Sequence, residues 1–218
     1  MTVRKRIGVL ISGRGSNMSA LINACKEPDY PAEIVTVISN RPEAPGLENA
    51  ALAGIPGEVI DHTSYSSREA FEKDLDKALN EAEVELICNA GFMRLLTQGF
   101  VEAWRDRHLN IHPSLLPAFK GLHTHERAIE AGVTISGCTV HFVRTQMDAG
   151  PIVAQAAVPV LAGDTADQLA ARVLEAEHRL YPLALKLVAS GNARVEGERV
   201  IHRAFHSAGN TLFAPEPG

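Results

Sequence analysis

The chain has 218 residues, with 21 Lys and Arg residues against 26 Asp and Glu residues and a formal net charge of −5. This acidic balance excludes a broad basic surface for nucleic acid or anionic lipid. Apolar residues make up 45% and charged residues 22% of the chain, as in a globular protein and unlike a disordered chain or a fibrous repeat.

Short β-branched runs alternate with amphipathic stretches through the first half of the chain. Strands are predicted at Ile7–Ser12, Glu33–Ser39, Glu58–Asp61, Val84–Asn89 and Leu109–His112. Helices are predicted between them at Ser16–Cys25, Leu47–Ala53, Ser67–Ala82 and Thr97–Trp104. This alternation favours right-handed βαβ units around a parallel sheet.

The pattern changes in the second half of the chain. A proline-rich loop follows His112, a helix is predicted at Thr124–Ala131, and strands Ile135–Val143 and Ile152–Pro159 have no helix between them. The elements together predict an α/β fold with helices on both faces of a mostly parallel sheet that becomes mixed. In such sheets ligands bind beyond the carboxyl ends of the strands.

The last long element is a helix predicted at Thr165–Ala189, where apolar residues recur at steps of three and four. Asp164 is its predicted N-cap, and Gly191 lies just beyond its end. Pro182 lies inside this stretch and predicts a kink or a break. Two short strands are predicted after Gly191. We expect residues 1–203 to form a single domain and residues 204–218 to form a polar tail.

Nothing in the sequence indicates a membrane or secreted protein. The apolar run Ile7–Ile11 follows the basic residues Arg4–Arg6, but it is too short for a signal peptide and for the roughly 20 apolar residues of a membrane span. The three cysteines form no Cys-x-x-Cys pair, which argues against a disulfide scaffold. We expect a cytoplasmic protein with no membrane or nucleic-acid partner.

A glycine-rich turn, Ser12–Asn17, joins the first predicted strand to the first predicted helix. Its glycines allow the backbone to approach a ligand, and the helix N-terminus offers unpaired N–H groups that suit a phosphate. The turn lacks the lysine of a Walker A loop. Met18 replaces the third glycine of a dinucleotide-binding fingerprint, and Asn40 and Arg41 stand where that fingerprint has an acid. A monophosphate site and an ordinary turn are both open at this point.

Asn110 and His112 lie two residues apart on a predicted strand, so their side chains point to the same side just before the proline-rich loop. An asparagine amide can donate to a developing oxyanion, and a histidine can exchange a proton near neutral pH. Asp148 follows the next strand and can orient the imidazole. Ser114 lacks a Gly-x-Ser-x-Gly elbow, so the pattern favours transfer between two bound substrates. The alternative is a histidine that is merely hydrogen-bonded in a turn.

Several other histidines raise the question of a metal site. His123 and His125 lie two residues apart, and His112 and His141 flank them in the sequence. No His-Glu-x-x-His motif is present and no cysteine pair completes a ligand set, so we expect no metal. His123 and His125 are expected to line the pocket or its loop.

The chain resembles the phosphoribosylglycinamide formyltransferase family, the folate-dependent glycinamide ribonucleotide transformylases of de novo purine synthesis. The matching segments follow in family order and are Ser12–Asn17, Ala90–Arg94, Leu109–Pro117, Gly121–His125 and Asp148–Pro151. The segment around Asn110 and His112 is shared with other folate formyl-transfer enzymes, so the Gly-Ser-Asn turn discriminates better. The resemblance implies a Rossmann-like formyltransferase fold.

The resemblance also implies a reaction, in which the amine of glycinamide ribonucleotide takes the formyl group of 10-formyltetrahydrofolate. Asn110 and protonated His112 would stabilise the oxyanion, while Asp148 would keep His112 charged and help to move the amine proton. The residues implied to bind the ribonucleotide are Gly15, Ser16, Asn17 and Glu177. No metal is implied, and the protein would be a monomer or a homodimer.

A second set of residues is implied to bind the folate co-substrate, with the pterin flanked by two segments and by backbone atoms of residues 144–148. The set comprises Arg68, Met93, Arg94, Leu95, Leu96, Asn110, Arg144, Thr145, Gln146, Met147 and Asp148. Many relatives carry acidic residues just before the catalytic aspartate, where this chain has Thr145 and Gln146. This difference changes only side chains, so the folate can still be recognised through the backbone atoms of residues 144–148.

Three other functions fit part of the pattern. A formyltetrahydrofolate deformylase would transfer the formyl group to water, but such relatives carry an extra N-terminal domain, for which a first strand at Ile7 leaves no room. A methionyl-tRNA formyltransferase needs a further, usually basic, C-terminal domain, whereas this chain is filled by the sheet domain and has a charge of −5. A non-catalytic nucleotide-binding module has no need of Asn110, His112 and Asp148 together. The transferase is therefore the expected function.

Overall fold

The computed structural model describes residues 4–203 and residue 214. The central sheet is formed by β1 (Lys5–Ile11), β2 (Ala32–Ser39), β3 (Gly57–Val59), β4 (Leu86–Asn89), β5 (His108–His112), β6 (Ile135–Phe142) and β7 (Ile152–Pro159). The predicted tail at 204–218 lies outside the described residues except for Ala214, so the expected domain limits stay a prediction.

The helices occupy the positions that the sequence pattern predicts, with ends shifted by at most one residue. They are α1 (Ser16–Cys25), α2 (Gly46–Leu52), α3 (Arg68–Glu81), α4 (Gln98–Ala103), α5 (Thr124–Glu130) and α6 (Ala166–Ala189). A single 3₁₀ turn, His62–Ser64, follows β3.

The sheet has the strand order β3-β2-β1-β4-β5-β6-β7. Neighbouring strands from β1 to β5 pair in parallel, whereas β6 is antiparallel to β5 and β7 is antiparallel to β6. The connection from β6 to β7, residues 143–151, has no helix and is shorter than the roughly 12 residues that a parallel crossover needs. The predicted α/β fold with a mixed sheet is confirmed.

Alternate residues of β1 contact two separate cores on opposite faces of the sheet. Val9 and Ile11 belong to the core that α1 and α6 cover, and Leu10 belongs to the core that α3 covers. Gly8 also faces α3, where a Cβ atom would lie only 2.8 Å from Leu79 Cδ2. The missing side chain therefore allows α3 to pack close to the sheet.

The start of α6 differs by one residue from the prediction. The Thr165 hydroxyl accepts from the Gln168 N–H at 3.3 Å, and Gln168 Oε1 accepts from the Thr165 N–H at 2.8 Å, which is a capping box. The prediction of Asp164 as N-cap is wrong because its carboxylate accepts instead from the Leu161 N–H and from the Arg172 guanidinium, each at 2.7 Å.

Of the kink or break predicted at Pro182, the break is wrong, because α6 continues through this residue. Proline has no N–H for the carbonyl four residues earlier. However, Tyr181 and Leu185 are completely buried on either side of Pro182, and the Tyr30 hydroxyl donates to the Pro182 carbonyl at 2.7 Å. Burial against the sheet offsets the missing hydrogen bond.

The last two described strands, β8 (Ala193–Glu196) and β9 (Arg199–His202), pair with each other in an antiparallel hairpin outside the main sheet. This confirms the two short strands predicted after Gly191. Across residues 4–203 and 214, no helix combines the length and the apolar character that crossing a membrane requires.

The capping box can be tested by comparing two substitutions at one position. Thr165→Ala should lower the free energy of unfolding by about 1 kcal/mol, because the Gln168 N–H loses its side-chain acceptor. Thr165→Ser keeps a hydroxyl and should remain close to wild type. Urea unfolding followed by circular dichroism measures both variants, and equal stability of the two would contradict the capping role.

Candidate active site

The candidate site lies where the order of the strands in the sheet changes direction. The chain places β2 and β3 on one side of β1, and β4 and the later strands on the other side. Such a reversal opens a crevice at the carboxyl ends of the strands. The turns after β1 and β4 meet in this crevice, since the Ser12 N–H donates to the Gly91 carbonyl at 3.1 Å and the Met93 N–H donates to the Ser12 hydroxyl at 2.7 Å. The Ser12 hydroxyl donates in turn to Asn40 Oδ1 at 2.5 Å. Ser12 therefore links segments that follow three different strands.

The glycine-rich turn forms the N-terminus of α1. Gly15 precedes the helix with a φ of 68°, a left-handed conformation that favours glycine. Ser16 is partly exposed, whereas Asn17 is buried and donates from Nδ2 to Glu177 Oε2 at 2.7 Å. The four residues implied in ribonucleotide binding thus lie together, although the sequence separates Asn17 from Glu177 by 160 positions.

An open groove runs beside this turn between α1, α2 and α6. The polar and charged side chains that line it are Arg14, Ser16, Ser19, Asn23, Asn49 and His178. The first-turn N–H groups of α1 and the Arg14 guanidinium both favour an anion at this place.

Glu177 is a buried carboxyl group next to the turn. Burial raises its pKa to about 7, and the hydrogen bond from Asn17 opposes this shift. Glu177 therefore gains or loses its proton near neutral pH. The Oδ1 atom of Asn17 is also buried and has no hydrogen-bond partner among the described residues.

Asn110, His112 and Asp148 form a second cluster at the same edge of the sheet. Asn110 and His112 lie on β5, and His112 Nδ1 is 3.5 Å from Asp148 Oδ2. Asp148 has a left-handed φ of 51°, and its carboxylate accepts from the Gly121 N–H at 2.8 Å. The structure thus brings together the three residues that the sequence selected, while their catalytic roles stay predictions.

His141 is a member of this cluster to which the sequence pattern assigned no catalytic role. It pairs directly with Asn110 across β5 and β6, with His141 Nε2 3.2 Å from Asn110 Nδ2 and 3.8 Å from Asp148 Oδ1. Burial lowers the pKa of His141, although its bond to the Phe142 carbonyl and the Asp148 charge oppose the shift. A neutral His141 that donates from Nδ1 to this carbonyl accepts at Nε2 from the Asn110 amide. His141 therefore orients the Asn110 amide. The second N–H of that amide stays available to donate to another group.

The proline-rich loop that follows β5 covers His112. His112 Nε2 lies 3.0 Å from the Phe119 carbonyl, and the next turn of the loop provides the Gly121 N–H to Asp148. Phe119 and His123 both adopt positive φ angles. Backbone groups of this loop therefore occupy hydrogen-bonding positions on both His112 and Asp148.

The residues implied in folate binding are largely accessible. Met93, Leu95 and Met147 expose 65%, 58% and 51% of their surface, which is unusual for large apolar side chains. Arg68, Thr145 and Gln146 are also exposed, and Arg94 is partly exposed. Leu96 differs, because it packs partly buried against the core beneath α3.

Arg144 differs from the other residues implied in folate binding, because its side chain is engaged in ion pairs. Its guanidinium lies 2.6 Å from Asp106 and 3.0 Å from Glu198. Recognition of a ligand through the backbone of residues 144–148 is compatible with this arrangement, since the side chain is not required for it.

Three further described histidines differ in their surroundings. Among the described residues, no group of three His, Cys, Asp or Glu side chains is arranged to hold a metal ion. His123 is exposed near Glu126, and burial lowers the pKa of His125. His108 bonds to Asn89 Oδ1 at 2.9 Å, and burial lowers its pKa to about 3, as expected for a structural histidine.

The fold is that of an α/β enzyme with its site beyond the carboxyl ends of the parallel strands. The family model described as formyl transferase matches residues 5–185, and the chain belongs to the formyl transferase family. This confirms the resemblance that its sequence motifs indicate.

Individual relatives show which members of this family the chain is similar to. The chain is 44% identical to the phosphoribosylglycinamide formyltransferase of Escherichia coli (strain K12), over 87% of this chain and 89% of that protein. It is 55% identical to the trifunctional purine biosynthetic protein adenosine-3 of Gallus gallus over 89% of this chain, but it spans only 19% of that protein's length. The crystal structure of glycinamide ribonucleotide transformylase 1 from Symbiobacterium toebii superimposes with a TM-score of 0.89 at 49% identity, covering 91% of this chain and 94% of that one.

The titration of Glu177 gives a stability test. Its pKa is raised from 4.5 to about 7 in the folded protein, so the stabilisation that its protonated form provides is complete below about pH 4.5 and is lost as the pH rises through about 7. Glu177→Gln does not titrate, so its unfolding free energy relative to wild type should rise across this interval.

Urea unfolding at several pH values measures this difference. Glu175→Gln, an exposed position on the same helix, is the matched control and should differ from wild type by a constant amount. A constant difference for Glu177→Gln as well would contradict the raised pKa.

Proposed function

We propose that this chain transfers the formyl group of 10-formyltetrahydrofolate to the amine of glycinamide ribonucleotide, giving formylglycinamide ribonucleotide and tetrahydrofolate in de novo purine synthesis. The observation that carries the proposal is the cluster of Asn110, His112 and Asp148 at the sheet edge that also bears the Gly15–Asn17 turn. The names of the Escherichia coli and Symbiobacterium toebii relatives support the same reaction.

The ribonucleotide phosphate binds at the N-terminus of α1. The backbone N–H groups of its first turn and the Ser16 hydroxyl donate to the phosphate oxygens, which the helix dipole also attracts. Glu177, held by Asn17, accepts from hydroxyl groups of the ribonucleotide. Its raised pKa reduces the negative charge that the phosphate meets near neutral pH.

The amine attacks the formyl carbon directly, which agrees with the lack of an obvious nucleophile in the sequence. A C–N bond forms and the carbonyl oxygen becomes an oxyanion, to which Asn110 and protonated His112 donate. The bond between the formyl carbon and folate N10 then breaks, and the amine proton reaches N10 through Asp148 and water. The formyl oxygen takes the place of the Phe119 carbonyl at His112 Nε2.

The folate binds beside this cluster. The exposed apolar side chains of Met93, Leu95 and Met147 provide the surface that an aromatic pterin covers. Backbone groups of residues 144–148 supply hydrogen bonds, so Thr145 and Gln146 do not need the acidic side chains of relatives. Arg68 attracts the carboxylates of the folate tail.

An assay of tetrahydrofolate formation from 10-formyltetrahydrofolate, with and without glycinamide ribonucleotide, tests the proposed function. Product should form only when the ribonucleotide is present. Product in its absence would instead identify a hydrolase of the deformylase type.

Two substitutions in the same assay test the catalytic cluster. Asn110→Ala and Asp148→Asn should each lower turnover on the order of a hundredfold or more, because an oxyanion donor or the partner of His112 is lost. Asn80→Ala, an exposed position on α3, is the matched control for the asparagine change and should be unaffected. Near-normal turnover of either cluster variant, with its fold intact by circular dichroism, would refute these roles.

An added negative charge in the turn tests the phosphate site. Ser16→Asp should weaken ribonucleotide binding at least about tenfold, because a carboxylate beside the first turn of α1 repels the phosphate. Titration calorimetry with glycinamide ribonucleotide measures the affinity. Ser66→Asp places the same charge on an exposed residue outside the site. Equal affinity of the two variants would argue against a phosphate at this turn.

A further inference from the structure

Residues 143–150, within the connection between β6 and β7, carry Asp148 and are called the Asp148 loop here. Its base is closed by two backbone hydrogen bonds, from the Phe142 N–H to the Pro151 carbonyl at 2.9 Å and from the Val143 N–H to the His108 carbonyl at 2.8 Å. Beyond this base, residues 145–147 are exposed. The position of the loop therefore depends on the contacts of its remaining side chains.

Arg144 provides three of these contacts. Its side chain is only 9% exposed, and all three of its guanidinium nitrogens are bonded. Nη2 donates to Asp106 at 2.6 Å, Nε donates to Glu198 at 3.0 Å, and Nη1 donates to the Val143 carbonyl at 3.1 Å. The Cγ atom of Arg144 also lies 3.1 Å from the place where a Cβ atom of Gly150 would be. The Arg144 side chain thus contacts both ends of the loop and forms ion pairs with other segments of the fold.

One of those segments is the β8–β9 hairpin, which lies beyond residues 5–185, the part that the formyl transferase family model matches. Glu198 stands in the turn of the hairpin, between the paired residues Glu196 and Arg199. Its carboxylate bonds to Arg144 and also to Arg105, which lies next to Asp106. The hairpin turn, the end of α4 and the Asp148 loop therefore meet at one ionic cluster.

We infer that Glu198 is a positioning residue, which acts through Arg144 to hold the Asp148 loop where Asp148 faces His112 and the loop backbone faces the folate. The inference rests on the proposed function, because it assigns the hairpin a part in that same site. Glu198 touches no reacting atom. An ion pair with a partner as exposed as Glu198 contributes little to global stability, so its loss should act on the loop and not on the whole fold.

The first experiment compares two neutralising substitutions in one hairpin. Glu198→Gln removes the carboxylate that binds Arg144, whereas Glu196→Gln removes a carboxylate that pairs with Arg194 within the hairpin. Hydrogen–deuterium exchange of the peptide spanning residues 143–150 should speed up several-fold in Glu198→Gln and remain at the wild-type rate in Glu196→Gln. Equal exchange in both variants would overturn the inference.

Steady-state kinetics separate positioning from general destabilisation. In Glu198→Gln the KM for 10-formyltetrahydrofolate should rise about threefold to tenfold and kcat should fall, because both the loop backbone and Asp148 move. The KM for glycinamide ribonucleotide should not change, because the Gly15–Asn17 turn follows β1 and not β6. Parallel changes in both KM values, or a lower melting temperature, would point to a structural role and overturn the inference.

A double-substitution test shows whether Arg144 transmits the effect. Arg144→Gln should reproduce the loss of loop protection, and adding Glu198→Gln should cause no further change. Additive effects would mean that Glu198 acts by another route. If the wild-type protein fails to transfer a formyl group, the proposed function fails, while hydrogen exchange still decides whether the hairpin holds the loop.

Discussion

The antiparallel pairing of β6 with β5 is the constraint on which the candidate site depends. It places His141 directly opposite Asn110, so that a neutral imidazole fixes the direction of the amide. The same pairing places Phe142, the last residue of β6, opposite Leu109, and the short connection to β7 then returns Asp148 to within 3.5 Å of His112.

Two carboxylates at one edge of the sheet have different surroundings that match different tasks. Glu177 is buried on α6 with one amide donor, and burial raises its pKa to about 7. Asp148 lies between two imidazoles and accepts a backbone N–H from Gly121. These surroundings support the proposed contact of Glu177 with an anionic ribonucleotide and the proposed support by Asp148 of a positive charge on His112.

Local patterns were sufficient for most of the fold and for the proximity of Asn110 and His112, whereas Glu177 was implied only by the resemblance to the formyltransferase family. Alternation along β1 and the strand spacing of Asn110 and His112 are properties of neighbouring residues, so the sequence reveals them. The position of His141 opposite Asn110 is set by strand register, which no local pattern specifies. Asp164 and Thr165 are both good capping residues, and only the pairing of Asp164 with Arg172 decides between them. The helix does not break at Pro182, because burial of Tyr181 and Leu185 offsets the hydrogen bond that proline cannot make.

The hydrogen bond between Asn17 and Glu177 has a consequence for how the protein is made. The two residues are 160 positions apart, so the glycine-rich turn leaves the ribosome long before α6 does. Until then Asn17 lacks its carboxylate partner, and the groove beside α1 lacks the side that α6 forms. A growing chain can therefore form most of its sheet before this groove is complete.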